Sequence, residues 1–226
     1  RKRPGMYIGT TGVKGMHHIL WEIVDNGMDE VLNGYGNSIE IEIFKDNSIS
    51  VTDHGRGIPV DIHPTEKVSG VELVFTTLHA GGKFNNKNYY VSGGLHGVGA
   101  SVTNALSEWL SVDVFKKGIK YNMQFASVEL KNGEIASGAK VQELKAEPCD
   151  PKLKGTRVTF KPDPRVFGNE EFSFDTIAKR LKELAFLNGG VKFSLTDNRA
   201  VGEGGRAKVR KFCYDGGISD FVLHLN

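Results

Sequence analysis

The spacing of apolar residues along the chain predicts a mixture of helices and strands. Across residues 16–32, apolar side chains recur every three or four positions, which is the spacing of one helix face. Three isoleucines then alternate with polar residues across residues 39–43, as in a strand with one buried face. Residues 48–53 follow a turn and are predicted to form the returning strand.

The rest of the chain continues this mixture. Further helices are predicted at residues 71–78, 99–106, 175–187 and 218–225. Further strands are predicted at residues 110–115, 119–128, 140–144, 156–160 and 191–196. Loops are predicted at residues 80–92 (a binding segment or lid), 163–164 and 198–207 (a flexible hairpin tip). Since helices and strands do not alternate strictly, an α/β fold with helices on one face of a mixed sheet is expected.

Composition narrows the class of protein without identifying it. The chain has 226 residues, 39% hydrophobic and 25% charged, which suits one well-buried domain spanning residues 1–226. A net charge of +2 gives no overall basic field that would steer the chain to nucleic acid. Two isolated cysteines, no signal-peptide pattern and no bilayer-length apolar run predict a cytoplasmic protein outside the membrane. Because the chain lacks an initiator methionine and stops inside an apolar pattern, we expect an excised domain.

The first predicted helix carries a polar stripe. His18, Glu22, Asn26 and Glu30 are four residues apart and therefore lie along one helix face. A solvated acidic face is the simplest explanation. The alternative is a catalytic one, because the Asn26 carbonyl suits Mg²⁺ and His18 could orient Glu22 as a general base. Arg56, in the next motif, could pair with Glu30.

A second motif follows the strand at residues 48–53. Asp53 is followed closely by Gly55 and Gly57, a combination that also occurs in ordinary turns. Alternatively, Asp53 could accept a hydrogen bond from the exocyclic amine of a base, while the glycines let the base approach the backbone. Ile58 and Pro59 would then supply an apolar wall for a flat ring.

A third motif is the glycine-rich run at residues 94–99, just before a predicted helix. Backbone amides in such a run can hold phosphate oxygens. The run is neither a dinucleotide-binding fingerprint nor a Walker loop, because its glycine order differs and no serine or threonine follows Lys83. Lys83 could still reach a phosphate, although loop lysines are usually solvated. Thr156 could contact a base or could simply be a good strand residue.

Taken together, these motifs resemble the Bergerat-type (GHKL) ATPases. The chain is most similar to the ATPase domain of bacterial type II topoisomerase B subunits, those of DNA gyrase and topoisomerase IV. The similarity extends over nearly the whole chain and is densest at residues 3–9, 17–18, 24–30, 78–84 and 91–106. The resemblance implies a two-layer α/β sandwich with helices on one face of a mixed, largely antiparallel sheet.

The resemblance also implies roles for the matched positions. Glu22 would be the general base for the attacking water, with His18 polarising it. Asn26 would hold a Mg²⁺ ion that bridges the three phosphates of ATP. Asp53 would bind the adenine amine directly and through a water molecule shared with Thr156.

Other matched positions would surround the nucleotide. The base would be flanked by Ile58, Pro59, Val74 and Phe75. Tyr89 would lie over the base, near the ribose. Phosphates would be held by Lys83 and by the amides of Leu95, His96, Gly97, Val98 and Gly99. Gly55 and Gly57 would adjoin the base, and Glu30 and Arg56 would pair at the pocket rim.

The function implied by the resemblance is ATP-driven gate closure that powers DNA strand passage. In the full-length enzyme the partners would be DNA, an A-type subunit and a second B-type subunit. Without the arm and the transducer domain of the family, the chain is expected to be monomeric, to bind ATP and Mg²⁺, and to hydrolyse little. A different enzyme of the same fold, or a nucleotide-sensing module without hydrolysis, is the alternative. The choice between gyrase and topoisomerase IV stays open.

Overall fold

A computed structural model of the protein describes residues 1–78, 99–201 and 205–225. The helices in these ranges are α1 (Gly5–Ile8), α2 (Val13–Leu32), α3 (Gly70–Thr76), α4 (Ala100–Ala105), α5 (Pro164–Phe167), α6 (Phe174–Leu187) and α7 (Ile218–Leu225). The strands are β1 (Ser38–Ile43), β2 (Ile49–Asp53), β3 (Ser107–Lys116), β4 (Ile119–Glu129), β5 (Ile135–Pro148), β6 (Gly155–Pro162), β7 (Lys192–Val201) and β8 (Ala207–Phe212).

The strands form one sheet in the order β5-β4-β3-β6-β2-β1-β7-β8. Only the β1–β7 pairing is parallel among the described strands, so the sheet is mixed and largely antiparallel. Alternation along β1 buries Ile39, Ile41 and Ile43 beneath the helices and leaves Glu40 exposed on the other face. The predicted two-layer α/β fold is confirmed.

The longest described helix, α2, runs through the core. Its apolar stripe, including Met16, Ile19 and Leu20, is fully buried. The helix ends where the Asn33 amide donates to the Asp29 carbonyl, and Gly34 then adopts a φ of 83° that favours glycine. The polar stripe of α2 is therefore held rigidly against the sheet.

Short side-chain hydrogen bonds fix the neighbouring helices. The Ser69 hydroxyl caps α3 by accepting from the Glu72 amide at 3.1 Å. The buried Asn104 of α4 donates its amide to the carbonyls of Phe75 at 2.9 Å and Gly138 at 3.0 Å. These contacts join the end of α3 to α4 and to β5.

Several predictions from the sequence need correction. The helix predicted at residues 16–32 begins earlier, at Val13, and the strand predicted at residues 140–144 is part of the longer β5. The loop predicted at residues 163–164 contains the start of α5, because the Asp163 side chain caps it by accepting from the Arg165 amide at 2.8 Å.

The C-terminal hairpin also differs from the prediction. Strands β7 and β8 pair up to Val201 and Ala207, so at most residues 202–206 remain of the predicted loop, and residues 202–204 lie outside the described ranges. Strand β8 was not predicted because its three apolar residues, Ala207, Val209 and Phe212, do not keep to one face of a strand. The loop predicted at residues 80–92 also lies outside the described ranges.

Two further structural findings concern the helices and the cysteines. No described helix combines the length and the apolar content that a membrane crossing requires. Cys149 and Cys213 are both free.

Candidate functional site

The buried carboxylate of Glu22 is held from two sides. It is only 2% exposed, and its Oε1 lies 3.3 Å from His18 Nε2, one helical turn away. Its Oε2 accepts a hydrogen bond of 2.9 Å from the Gly99 amide, directly before α4. One carboxylate oxygen is thus fixed by a hydrogen bond and the other lies against a histidine, an arrangement that suits a positioned general base.

The neighbouring His17 has a structural position instead. Its Nδ1 lies 2.8 Å from the Val13 carbonyl, and its Nε2 lies 3.1 Å from the Ser173 amide, which must donate. This pattern requires a neutral ring protonated at Nδ1. Burial lowers the pKa of His17, which agrees with that protonation state. Of the two adjacent histidines, only His18 contacts Glu22.

A pocket opens beside this helix stripe, between α2 and the sheet. Asn26, one turn after Glu22, lies partly exposed in its wall. The pocket is lined by Ile23, Asn26, Glu30, Val51, Asp53, Ile58, Phe75, Thr156 and Val158. It combines mostly apolar walls with a few polar groups, as small-molecule pockets do.

The carboxylate of Asp53 is the main polar group at the far end of the pocket. Its Oδ1 accepts from the Gly55 amide at 2.8 Å. Burial raises the pKa of Asp53 to about 6, although amide hydrogen bonds from Gly55 and Thr156 oppose that shift and the nearby Glu30 charge adds to it. At neutral pH the group is a hydrogen-bond acceptor facing an apolar cavity.

Thr156 lies beside Asp53 because β2 and β6 pair antiparallel, with Thr52 opposite Arg157. Its hydroxyl accepts from the Ile58 amide at 3.1 Å. This bond fixes the turn after Asp53 against β6, and it places a hydroxyl next to the carboxylate.

Two glycines in that turn are required by close packing. A Cβ at Gly55 would lie 2.6 Å from Glu30 Oε2, and Gly57 has a φ of 78°. Larger residues would therefore push the turn away from α2. Burial lowers the pKa of Lys116, which packs beside Gly57 at the edge of the turn.

The predicted pair at the rim is present. Arg56 Nη2 lies 2.7 Å from Glu30 Oε1, and the Arg56 amide donates to Glu30 Oε2 at 2.8 Å. The guanidinium also lies 4.0 Å from the centre of the Tyr35 ring, a cation–π distance. The pair connects the stripe on α2 to the turn after Asp53.

Not every predicted residue reaches the pocket wall. Val74 is buried in the core, and the Pro59 carbonyl packs against Gly70 at the start of α3. Other lining residues were not predicted from the sequence, although they carry a recognisable signal. Val51 precedes Asp53 by two positions, and Val158 follows Thr156 by two, so each shares a strand face with a predicted residue. The predicted residues outside the described ranges are Lys83, Tyr89, Leu95, His96, Gly97 and Val98.

The polar side chains around the pocket can be compared with the ligands that Mg²⁺ requires. Within residues 1–78, 99–201 and 205–225, no cluster of three or more His, Cys, Asp or Glu side chains could hold a metal alone. Mg²⁺ commonly uses one or two protein oxygens together with substrate phosphates and water. The partly exposed Asn26 amide beside the pocket fits that second mode.

Comparison with known proteins identifies the class. The family of histidine kinase-, DNA gyrase B-, and HSP90-like ATPases matches residues 11–166, which is more than half of the chain. The chain therefore belongs to this ATPase family, as the sequence motifs predicted.

Its relatives include bacterial topoisomerase subunits. The B subunit of the type 2 topoisomerase of Aquifex aeolicus (strain VF5) is 50% identical over the whole chain, which covers 26% of that protein. The B subunit of Spiroplasma citri DNA gyrase is 51% identical, with 33% of it covered. The B subunit of DNA topoisomerase 4 from Staphylococcus aureus (strain Mu50) is 49% identical, with 32% of it covered. The chain thus spans about a quarter to a third of these relatives.

A solved structure supports the same assignment. The chain is similar to the 43K ATPase domain of Thermus thermophilus gyrase B, crystallised in complex with an aminocoumarin, with a TM-score of 0.81 and 40% identity. That match covers all of this chain and 53% of the other.

Proposed function

We propose that this chain is the ATP-binding part of the B subunit of a type II topoisomerase. ATP binding and hydrolysis at the pocket would drive DNA strand passage by the complete enzyme. The observation that carries the proposal is the buried Glu22 carboxylate, which His18 and the Gly99 amide orient beside a pocket with an acceptor at its far end. Membership of the ATPase family and the names of the relatives support it.

The far end of the pocket has the chemistry to recognise adenine. Asp53 accepts a hydrogen bond from the exocyclic amine, and Thr156 shares a water molecule with it. Ile58 and Phe75 line the pocket and would contact the flat ring. Guanine presents a carbonyl oxygen in place of that amine, so the Asp53 carboxylate would repel it.

Hydrolysis takes place at the other end of the pocket. Glu22 accepts a proton from water as the water oxygen attacks the γ-phosphorus. The bond from that phosphorus to the bridging oxygen breaks, and ADP and phosphate are released. His18 positions the Glu22 carboxylate, since its Nε2 lies 3.3 Å from Oε1. Mg²⁺, when bound, offsets phosphate charge, and the Asn26 amide oxygen would hold it.

The remaining parts of the proposal concern residues outside the described ranges and the complete enzyme. Lys83 and the amides of residues 95–98 would hold the phosphates, and Tyr89 would lie near the ribose. The Gly99 amide, predicted to join them, instead donates to Glu22. Residues 1–226 would act as one nucleotide-binding unit in the cytoplasm. Dimerisation with a second copy of the complete protein, the A-type subunit and DNA strand passage would involve the rest of that protein.

Nucleotide binding is tested by thermal unfolding of the chain with and without Mg²⁺-ATP. Ligand at about 100 times its Kd should add about 2.7 kcal/mol of stability, whereas GTP at the same concentration should add almost none. A shift of equal size with GTP would contradict adenine recognition by Asp53.

Hydrolysis is tested separately in the complete subunit. The sensing-module alternative predicts stabilisation by ATP without turnover even in that form. Measurable turnover of ATP to ADP that requires Glu22 would exclude it. Stabilisation without any turnover in the complete subunit would refute the hydrolytic role and leave the binding role intact.

A further inference from the structure

The outer edge strand of the sheet is strongly basic. Strand β8 pairs on one side only, with β7, and residues 206–211 include four cationic and no acidic side chains. A fifth cation stands at the start of β7. These residues, here named the basic edge, are Lys192, Arg206, Lys208, Arg210 and Lys211.

Charge is distributed unevenly along the chain. Residues 174–213 contain nine lysines and arginines and four acidic residues. The rest of the chain contains 20 lysines and arginines and 23 acidic residues. The net charge of +2 is therefore the sum of a basic region and a slightly acidic remainder. Such a region attracts polyanions even when the whole chain is nearly neutral.

The basic edge is exposed, and most of its charge is not neutralised by neighbouring carboxylates. All five side chains are exposed. Among the residues that the structure describes, only Lys208 has a carboxylate neighbour, Asp175 at 3.8 Å, and that carboxylate is 93% exposed. The other four form no ion pair within the described ranges.

The opposite edge of the same sheet behaves differently. On β5, Lys140 pairs with both Glu72 and Glu143 at 2.9 Å. Further in, Arg157 pairs with Asp113 at 2.7 Å. Strand β5 thus carries two lysines and two glutamates, with Lys140 paired, whereas β8 carries three cations and no acidic residue.

The cations lie on both faces of the edge. Register places Arg210 opposite the buried Leu195, on the helix side, and Lys211 opposite Ser194, on the open side. On the open side, Lys192 and Lys211 border a shallow cleft that also contains the hydroxyls of Ser38 and Ser194.

One acidic side chain, Glu40, lines the same cleft. Its Oε1 lies 3.1 Å from His54 Nε2, directly after the neighbouring strand β2, and the two lysines of the cleft outnumber it. The cleft therefore keeps a surplus of positive charge.

From this arrangement we infer that the basic edge binds the phosphate backbone of double-stranded DNA. Six residues of extended strand span about 17 Å, and a duplex of that length carries about ten phosphate charges. Lysine, arginine and serine side chains are typical phosphate contacts, and they position a duplex without reading its sequence.

The surface chemistry favours a duplex over a single strand. Single-strand binding relies on exposed aromatic rings on which bases stack. In the described part of this edge, Phe174 is buried beneath the Lys208 ammonium, 4.0 Å from its ring centre, and Tyr214 is stacked on Phe186. Phe212 is partly buried. The edge thus offers cations and hydroxyls without a stacking platform.

The inference goes beyond the proposed function, which assigns DNA contacts to the complete enzyme and not to this chain. It rests on that function only in choosing DNA among polyanions. DNA binding is measured without nucleotide, and ATP binding is measured without DNA. Failure of either proposal is therefore recognised independently of the other.

The test is fluorescence anisotropy of a labelled duplex of about 20 base pairs, titrated with the chain at salt concentrations from about 50 to 200 mM. The edge variant combines Arg206→Gln, Lys208→Gln, Arg210→Gln and Lys211→Gln. A control variant removes the same charge from exposed lysines elsewhere and combines Lys45→Gln, Lys131→Gln, Lys145→Gln and Lys152→Gln. A single cooperative thermal-unfolding transition, measured without ligand, reports that each of the three proteins is folded.

We expect the unmodified chain to bind with a log–log salt slope of about −3.6, corresponding to four phosphate contacts. The edge variant should bind at least tenfold more weakly with a slope near zero, and the control variant should stay within twofold. No binding at the lowest salt, or an equal loss in both variants, would overturn the inference. Tighter binding of a single strand, or displacement of the duplex by polyglutamate at equal charge, would overturn the choice of duplex DNA.

Discussion

The two ends of the pocket are built in different ways. At one end, His18, Glu22 and Asn26 come from a single helix, four residues apart, so helical geometry puts them in line, and Asn26 lines the pocket. At the other end, Asp53 and Thr156 come from β2 and β6, which are neighbours in the sheet but far apart in sequence. The helical end depends on one element, whereas the strand end depends on a long-range pairing.

This difference separates two kinds of chemistry. On the helical end a carboxylate is held by a histidine and a backbone amide, which suits proton transfer in a fixed geometry. On the strand end a carboxylate with a raised pKa faces apolar walls, which suits recognition of a hydrogen-bond donor. Changes at the two ends should therefore affect turnover and affinity separately.

The largest expected effect is on turnover, from Glu22→Ala in the complete subunit. Loss of a positioned general base typically lowers the rate by about 10²–10⁴-fold. The Kd for Mg²⁺-ATP should change by less than about threefold, because the substituted side chain lies outside the base-binding end. Steady-state kinetics and calorimetric titration measure the two quantities.

Glu22→Gln serves as the matched control for shape. It keeps the size of the side chain and removes the proton acceptor, so it should lose as much activity as Glu22→Ala. Near-normal turnover in Glu22→Gln would show that proton acceptance at this position does not limit the reaction.

A smaller effect, on affinity, is expected from Asp53→Ala. Hydrogen bonds to charged groups contribute about 1.5–3 kcal/mol, so the Kd for ATP should rise by about 10–150-fold. Binding of inorganic triphosphate, which has no base, should not change. Asp150→Ala, an exposed aspartate, is the control for loss of one negative charge. If triphosphate binding fell equally, the role of Asp53 in base recognition would be wrong.

The same comparison explains what could be predicted from the sequence. The stripe on α2 was predictable because helical spacing is local, and the contacts of His18 with Glu22 and of Glu30 with Arg56 agree with it. The roles proposed for these residues remain predictions. The partnership of Asp53 and Thr156 came only from the family resemblance, since spacing alone does not reveal which strands pair.

Other features were missed for physical reasons. Strand β8 is an exposed edge strand in which Lys211 interrupts the alternation begun by Ala207 and Val209, so it lacks the pattern that marks a half-buried strand. Val158 lines the pocket through the same β2–β6 pairing that brings Thr156 there. In both cases the deciding interaction is non-local.

A pH effect of about tenfold is expected at the strand end. Recognition of the amine requires ionised Asp53, whose pKa is about 6 in the free protein. Since one proton competes with the ligand, the Kd should be about tenfold higher at pH 5 than at pH 8. Adenosine, which has no titrating phosphate, should show the same dependence in calorimetric titrations. A flat profile for adenosine between pH 5 and pH 8 would contradict the raised pKa.

Ionisation of Asp53 has opposite effects on binding and on stability: it favours binding of the amine and lowers the stability of the folded chain. The folded chain holds the Asp53 proton more tightly than the unfolded chain, whose value is near 3.8. The stability due to this group is therefore fully present below about pH 3.8 and is lost as the pH rises through about 6. An empty pocket at neutral pH carries an unfavourable buried charge, which the amine of the ligand would offset.

The smallest expected effect is at the rim, where Glu30 on α2 and Arg56 on the turn join the two ends. Arg56→Lys keeps the charge but loses the fork that contacts both carboxylate oxygens, so unfolding in urea should show a loss of about 1 kcal/mol. Because Arg56 lies on the turn after Asp53 and not on α2, the Kd for ATP should rise by about two- to threefold with kcat unchanged. A cycle with Glu30→Gln measures the coupling, which should also be about 1 kcal/mol. Additive effects would mean that the two ends are held together by the sheet and not by this pair.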